Sequence, residues 1–422
     1  MTTFEQFNLP KSVQKAIDDL GFTTPTPIQE KTFSVIMSGR DMMGIAQTGT
    51  GKTFAYLLPL LKLYKFTPGH TPKIVILVPT RELVVQVVEE VEKLTKYMSV
   101  RTIGIYEGVN INTQKKAVYT GCDILVGTPG RIMDLTLDNV IRFEEMQKLV
   151  IDEFDEMLNL GFRTQLTSIL AMMPKKRQNI LFSATMTDEV DAILNDYFDY
   201  PEEVTLSASG TPLENIKQIS YQVPNFNTKV NLLKHLLDSH EDMSRILVFV
   251  NNKKIADMLL DRIEEDFEGQ FGAIHSNKSQ NYRLSTMASF QEGNLRGLIT
   301  TDIMARGLDI SNITHVVNFE MPEMPELYMH RIGRTGRADA TGTAISFIAP
   351  REEESKVEVE VLMNMELAIE PFPETVEVSS KLIEPEKDRQ PIKFLMKKQK
   401  LDGDGAFQEK SKKNKKVNLG GP

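Results

Sequence analysis

Ala46-Gln-Thr-Gly-Thr-Gly-Lys-Thr53 carries the densest chemistry in the chain, and it sits between an apolar run, Met42 to Ile45, and a helical pattern. That is the context a phosphate-binding loop needs. Gly49 and Gly51, set between Thr48 and Thr50, let backbone N–H groups turn inward around phosphate oxygens, and the helix N-terminus adds partial positive charge. Lys52 is expected to reach the β and γ phosphates, and the Thr53 hydroxyl to bind Mg²⁺. The usual pattern begins with Gly, where this chain has Ala46. About a hundred residues on, Leu149-Val-Ile-Asp-Glu153 is an apolar run ending in adjacent carboxylates. Alone, such a pair reads as a solvated turn. Paired with Lys52 it reads as the second half of a nucleoside triphosphatase site, with Asp152 holding magnesium through its water shell and Glu153 deprotonating the attacking water.

These residues need strands and helices to hold them. Met42–Ile45, Lys73–Val78, Asp123–Val126, Leu149–Asp152 and Asn179–Phe182 are nearly unbroken apolar stretches followed by polar or Gly-rich residues. Parallel strands buried on both faces look like this. Leu83, Val87, Val91 and Leu94 recur at helical spacing between them, so the chain from Asp41 to about Val204 is βαβ in pattern. Ser207-Ala-Ser-Gly-Thr-Pro212 reads as a linker. A second series follows, with strands expected at Ile246–Val250, Gly272–His275, Gly297–Thr300, His315–Phe319 and Thr343–Ile348, though no sequence repeat relates the two halves. After about Pro371 the pattern fades into Pro, Lys and Gly, which predicts a largely disordered extension.

Composition narrows the class further. The 422 residues are 25% charged and 41% apolar, ordinary globular usage that excludes fibrous or wholly disordered chains. The apolar runs fall well short of the roughly 20 residues a membrane-spanning helix needs. No secretory signal is visible, and a lone Cys122 rules out an intrachain disulfide, so a reducing, cytoplasmic setting without membrane association is expected. The net charge of -9 hides an asymmetry: nine Lys against three acids from Ile392 onward make +6, which leaves -15 for the remainder. A polyanion must therefore meet local positive or amide-rich surfaces, and the Lys410–Lys416 cluster reads either as a polybasic arm or as a solubilising end.

Further motifs appear in a fixed order: Gly21-Phe-Thr-Thr-Pro-Thr-Pro-Ile-Gln29 with Phe4 upstream, Pro79-Thr-Arg-Glu-Leu83, Thr128-Pro-Gly-Arg131, Asp152-Glu-Phe-Asp155, Ser183-Ala-Thr185, Thr301-Asp302, Ala305-Arg-Gly-Leu-Asp309 and His330-Arg-Ile-Gly-Arg-Thr-Gly-Arg337. With this set the chain resembles the DEAD-box RNA helicases of superfamily 2 over almost all of residues 4 to 350. The resemblance implies an α/β fold of two RecA-like domains, each a mostly parallel sheet flanked by helices. The expected divisions are residues 1–206, a linker at 207–215, residues 216–370 and a basic tail at 371–422. It implies an enzyme that hydrolyses ATP with Mg²⁺, stimulated by RNA, and separates short duplexes or remodels RNA–protein complexes by lobe closure.

By the same resemblance Gln29 and Phe4 bind adenine, by amide hydrogen bonds and ring stacking. Asp309 accepts a hydrogen bond from the ribose, and Arg334 and Arg337 act as arginine fingers opposite Lys52. Asp155, Ser183, Thr185 and His330 form a polar bridge that couples hydrolysis to closure. Pro79, Thr80, Arg81, Gly108, Thr128, Gly130 and Arg131 of the first lobe, with Arg283 and Thr301 of the second, follow the phosphates and sugars of an RNA strand without reading bases. A stand-alone bacterial enzyme is expected, monomeric, with ribosomal or degradation-complex proteins as further partners. Two departures stand out. Phe154 replaces a small Ala, so its bulk could shift Asp155 or slow turnover, and Glu107-Gly108 replaces a Gly pair, placing an acid close to the expected RNA path. An ATP-gated RNA clamp with slow hydrolysis and a DNA-directed translocase are the alternative readings.

Overall fold

The computed structural model describes residues 3–46, 50–66, 69–205, 215–302, 313–336 and 341–387. Thr48, Gly49, Asp309 and Arg337, and most of the expected linker and tail, lie outside the described residues. Residues Met1–Lys381 make one compact unit, and Leu382–Pro422 a second in which a short 3-10 turn spans Glu384–Glu386. Among the described residues no helix is long and apolar enough to cross a membrane.

The first sheet contains β1 (Met42–Ile45), β2 (Ile74–Leu77), β3 (Thr102–Ile105), β4 (Ile124–Gly127), β5 (Lys148–Ile151), β6 (Gln178–Ser183) and β7 (Glu202–Thr205). Its order is β3-β4-β2-β5-β6-β1-β7, with every pairing parallel. The helices are α1 (Lys11–Asp19), α2 (Pro27–Ser38), α3 (Lys52–Leu63), α4 (Arg81–Leu94), α5 (Ile111–Tyr119), α6 (Pro129–Leu137), α7 (Phe154–Asn159), α8 (Arg163–Met172) and α9 (Asp188–Tyr197). Two apolar clusters line this sheet. One joins Ile76 and Val150 to the Leu57–Leu61 face of α3, and the other joins Leu77 and Ile151 to Ile132, Leu166 and Ile169.

The second sheet contains β8 (Ile216–Gln222), β9 (Ile246–Phe249), β10 (Phe271–Ile274), β11 (Gly297–Thr300), β12 (His315–Asn318) and β13 (Gly342–Ile348). It is accompanied by α10 (Phe226–Ser239), α11 (Lys253–Glu264), α12 (Gln280–Gln291), α13 (Pro325–Ile332) and α14 (Glu353–Met363). The order β10-β11-β9-β12-β13-β8 repeats, position for position, β3-β4-β2-β5-β6-β1 of the first sheet. The two halves are thus a structural repeat even though their sequences show none.

Each expected apolar run became a strand within a residue or two of the expected bounds, and all of them are interior except β10, which lies at a sheet edge. The strands that sequence patterning missed, β3, β7 and β8, all lie at sheet edges. An edge strand can be covered less completely and then lacks the continuous apolar signature, although β10, an edge strand buried throughout, keeps it. In Glu202–Thr205, for example, only Val204 is buried. The edge strand β3 is held to β4 by Asp123, 1% exposed, whose carboxylate accepts from the Arg101 backbone at 2.9 Å, from Nε at 3.1 Å and from Nη2 at 3.0 Å.

The extension expected to be disordered from Pro371 differs in its first part. Ser379 N donates to Thr228 Oγ1 at 3.0 Å, and Asn225 and Asn231 donate to the Ser379 and Glu377 carbonyls at 2.6 and 2.9 Å. These asparagines lie on or beside α10, so the segment through Lys381 is a strap tied by its backbone to the second lobe. Such bonding does not depend on apolar periodicity, and patterning could not show it.

Candidate functional site

Strand order sorts the candidate residues into two groups. Ile45 pairs with Ser183 and Leu181 with Ile151, so the C-terminal ends of β1, β6 and β5 are neighbours. At those ends lie Ala46, Ser183 to Thr185, and Asp152 to Asp155. Ligand sites of open α/β sheets lie at such carboxyl ends. Leu77 and Ile105 both pair with Gly127, so the ends of β2, β4 and β3 form a separate group carrying Pro79 to Arg81, Thr128 to Arg131 and Gly108. In the second sheet Arg283 and Thr301 follow β10 and β11, the counterparts of β3 and β4.

Gly51, at φ +88, caps α3 in the left-handed region, and a Cβ there would come within 2.6 Å of Gln29 Nε2. Both the backbone angle and the close approach call for glycine. Gln29 Oε1 accepts from Thr26 N at 3.0 Å and its Nε2 donates to the Gly51 carbonyl at 3.1 Å. One donor and one lone pair of that amide remain for a ligand. Lys52 opens α3 and is 6% exposed; its Nζ lies 3.9 Å from Asp152 Oδ1 and has no hydrogen-bond partner among the described residues. A buried ammonium without hydrogen bonds is costly, and a phosphate oxygen would satisfy it. Thr50 and Thr53 flank it, each partly exposed.

Asp152 and Glu153 are 4% and 9% exposed. Burial pushes both carboxyls above the ordinary carboxylate range, with Lys52 opposing the shift. A carboxylate made more basic in this way is a better proton acceptor. Glu153 also has φ 53, a left-handed conformation rare for a non-glycine residue and typical of positions where function sets the backbone. Asp155 Oδ2 accepts from Thr185 N and Oγ1 at 3.1 and 2.9 Å, and Ser183 Oγ donates to the Thr185 carbonyl at 2.7 Å. His330 and Arg334 of the second lobe line the same cleft as Lys52, Glu153 and Asp155. Arg334 is 3% exposed and close enough for its charge to act on Glu153.

Several placements differ from expectation. Phe4 is 3% exposed, edge-on to Phe7 with ring centroids 5.9 Å apart, so it belongs to the core and presents no free face for stacking. Phe22, inside the Gly21–Gln29 motif, is half-exposed and edge-on to Phe54 of α3. Arg131 is 7% exposed and donates to Gln114 Oε1 at 2.7 Å; the first turn of α6 faces α5 there, so the residue braces the two helices. Arg283 is drawn to the opposite lobe: it ion-pairs with Glu82, to which Gln280 Nε2 also donates at 3.2 Å. Thr80 caps α4 by accepting from Leu83 N at 3.3 Å, and Arg81 lies against Gly108 and donates to the Glu107 carbonyl. Two positioning residues were not foreseen. Arg331 is 1% exposed and fastens α13 through Asp302 at 2.6 and 2.7 Å, and Tyr56, one turn beyond Lys52, is fully buried; that burial, and then the negative charge of Asp152, pushes its phenol well above the usual range.

Phe154 is fully buried in the cluster with Leu149, Ile151 and Met157, turned away from the cleft. Its bulk fills the core behind Asp155 and does not crowd the carboxylates. Phe154→Ala is therefore expected to destabilise the first lobe by about 3 to 5 kcal/mol, read by denaturant unfolding. A loss below about 1 kcal/mol together with faster hydrolysis would return Phe154 to the site.

A family model described as DEAD/DEAH box helicase matches residues 26–193, and one described as helicase conserved C-terminal domain matches residues 228–339. The chain is 42% identical over 352 residues to the DEAD-box ATP-dependent RNA helicase CshA of Geobacillus kaustophilus, covering 83% of this chain and 74% of that protein. Against the protein of the same name from Bacillus cereus it is 40% identical, covering 83% of this chain and 66% of the relative. Among solved structures, S. cerevisiae Dbp5 bound to RNA and ADP BeF3 superposes with a TM-score of 0.79 at 28% identity, over 88% of this chain and 96% of that one.

Proposed function

Because the chain belongs to the DEAD-box ATP-dependent RNA helicases, we propose that it separates short RNA duplexes locally, or remodels RNA–protein complexes, each time its lobes close around ATP and a single strand. One observation carries this reading: Lys52 and Glu153 of the first lobe and His330 and Arg334 of the second line one cleft. No single lobe holds the full set, so nucleotide binding and closure are linked.

In this reading the γ-phosphate rests on Lys52 and the backbone of the loop around Gly51, while Gln29 meets the adenine. Glu153 holds the attacking water and takes its proton as the water oxygen bonds to the γ-phosphorus and the bond to the β-bridging oxygen breaks. Arg334, with Arg337 and Lys52, balances the charge spread over the equatorial oxygens. Thr53 and Asp152 are the residues to hold Mg²⁺, which when bound neutralises phosphate charge. Among the described residues no group of three or more His, Cys, Asp or Glu could hold a metal unaided, which suits an ion that shares its ligands with phosphates and water. The chain Ser183–Thr185–Asp155, with His330 beside it, links the cleft to the domain motion.

Thr80, Arg81, Gly108, Thr128 and Gly130 of the first lobe, with Thr301 and Arg283 of the second, follow the RNA backbone and give sequence-independent binding with 2′-OH discrimination. Arg283 then serves two roles, since its pair with Glu82 also joins the lobes. ATPase rates measured with single strands of RNA and DNA of matched length test the substrate preference, and strand separation of a short RNA duplex tests the cycle. RNA should stimulate far more than DNA, with many separations per enzyme. Equal stimulation would overturn the RNA assignment, and one stable complex without turnover would replace the cycle with a clamp.

A further inference from the structure

The residue that departs from the Gly pair of the family pattern occupies a distinctive place. Glu107 follows β3, and its carboxylate faces the start of α6. Thr128, the N-cap residue of α6, makes no side-chain capping bond to its own helix; its hydroxyl donates instead to Glu107 Oε2 at 2.6 Å. The other carboxylate oxygen, Oε1, crowds the position a Cβ on Gly130 would take. The acid thus sits at the positive end of a helix, hydrogen-bonded to a Thr and packed against a Gly where only a residue without a side chain fits. Helix N-termini of this kind accept phosphate oxygens. Arg81, whose guanidinium also lies 5.4 Å from the centroid of the Tyr106 ring, borders the same place.

We propose that Glu107 is an internal stand-in for an RNA phosphate, occupying the subsite made by Thr128 and Gly130, and that a strand must displace it in order to seat. The proposal rests on the RNA path described above, which includes Thr128 and Gly130. It makes Glu107 an affinity-determining residue: an anion placed to be exchanged for the anion of the ligand weakens RNA binding and favours strands whose neighbouring phosphates are gripped elsewhere at the same time. While RNA is absent, the carboxylate satisfies the Thr128 hydroxyl.

Anisotropy of a labelled single-stranded RNA with a non-hydrolysable ATP analogue tests this on the full chain. Glu107→Gln keeps the shape and removes the charge, and is expected to tighten RNA binding about fivefold, the effect of removing one like charge some 4 Å away in a water-like medium. The salt dependence should steepen by about 0.7 in log–log slope, as for one more neutralised phosphate on a single strand. Glu107→Gly, which empties the subsite altogether, should shift affinity the same way. Unchanged or weaker binding in both variants overturns the proposal and leaves Glu107 as a brace for Thr128. Arg81→Ala tests the path itself: weakened RNA binding sustains it, whereas unaltered binding removes the path and this inference with it, whatever Glu107 does.

Discussion

Glu153→Gln is expected to leave ATP and RNA binding in place while hydrolysis falls by about 10² to 10⁴, the contribution of a positioned general base. The substitution keeps the volume of a side chain that is 9% exposed and retains an oxygen that can still hydrogen-bond water, but the amide cannot take a proton. Asp152, the residue assigned to the metal, is untouched, and its Oδ1 still accepts from the backbone N of residue 153 at 3.0 Å. Removing a buried negative charge beside Lys52 and Arg334 should, if anything, strengthen the hold on a triphosphate. The measurement pairs ATP affinity at equilibrium with single-turnover hydrolysis at saturating RNA. Loss of ATP binding in the variant would show that Glu153 had been given the wrong role, and full hydrolysis would show that another group takes the proton.

Arg334→Ala is expected to cost about 10³ to 10⁵ in hydrolysis, the range for an arginine that neutralises charge developing on the transferred phosphoryl group. The residue is 3% exposed, follows the end of α13, and reaches a cleft that Lys52, Glu153 and Asp155 of the other lobe also line. Its placement depends on the buried Arg331–Asp302 pair, which fixes α13, so the finger is held before any ligand arrives. Arg334→Lys should not restore the rate, because an ammonium lacks the planar fork that meets two oxygens. RNA-stimulated ATPase at saturating nucleotide gives the comparison, with ATP affinity measured alongside. Hydrolysis within tenfold of the parent would remove Arg334 from the reacting site, and a loss confined to affinity would make it a binding residue alone.

Candidate groups held in contiguous residues could be read from sequence as sets. Ala46 to Thr53 and Leu149 to Glu153 each combine a strand end with the groups a phosphate site uses, and backbone connectivity keeps those groups together whatever the rest of the fold does. Interior strands were legible for a related reason: burial on both faces demands an unbroken apolar run, as at Ile74–Leu77 and Ile246–Phe249. Relations between distant residues, and the direction each side chain takes, were decided by the tertiary structure. The order β5-β6-β1 brings Asp152, Ser183 and Ala46 side by side, and β3-β4-β2 gathers Glu107, Thr128 and Arg81, yet nothing in the residues near any one strand encodes which strand lies next to it. Whether a ring or a guanidinium faces a ligand or the interior is settled by packing, which is why Phe4 and Arg131 are internal while Phe22 is exposed. The Glu82–Arg283 pair and the shared cleft exist only because residues of the two lobes, far apart in sequence, are brought into contact, an arrangement that depends on surfaces assembled from the whole chain.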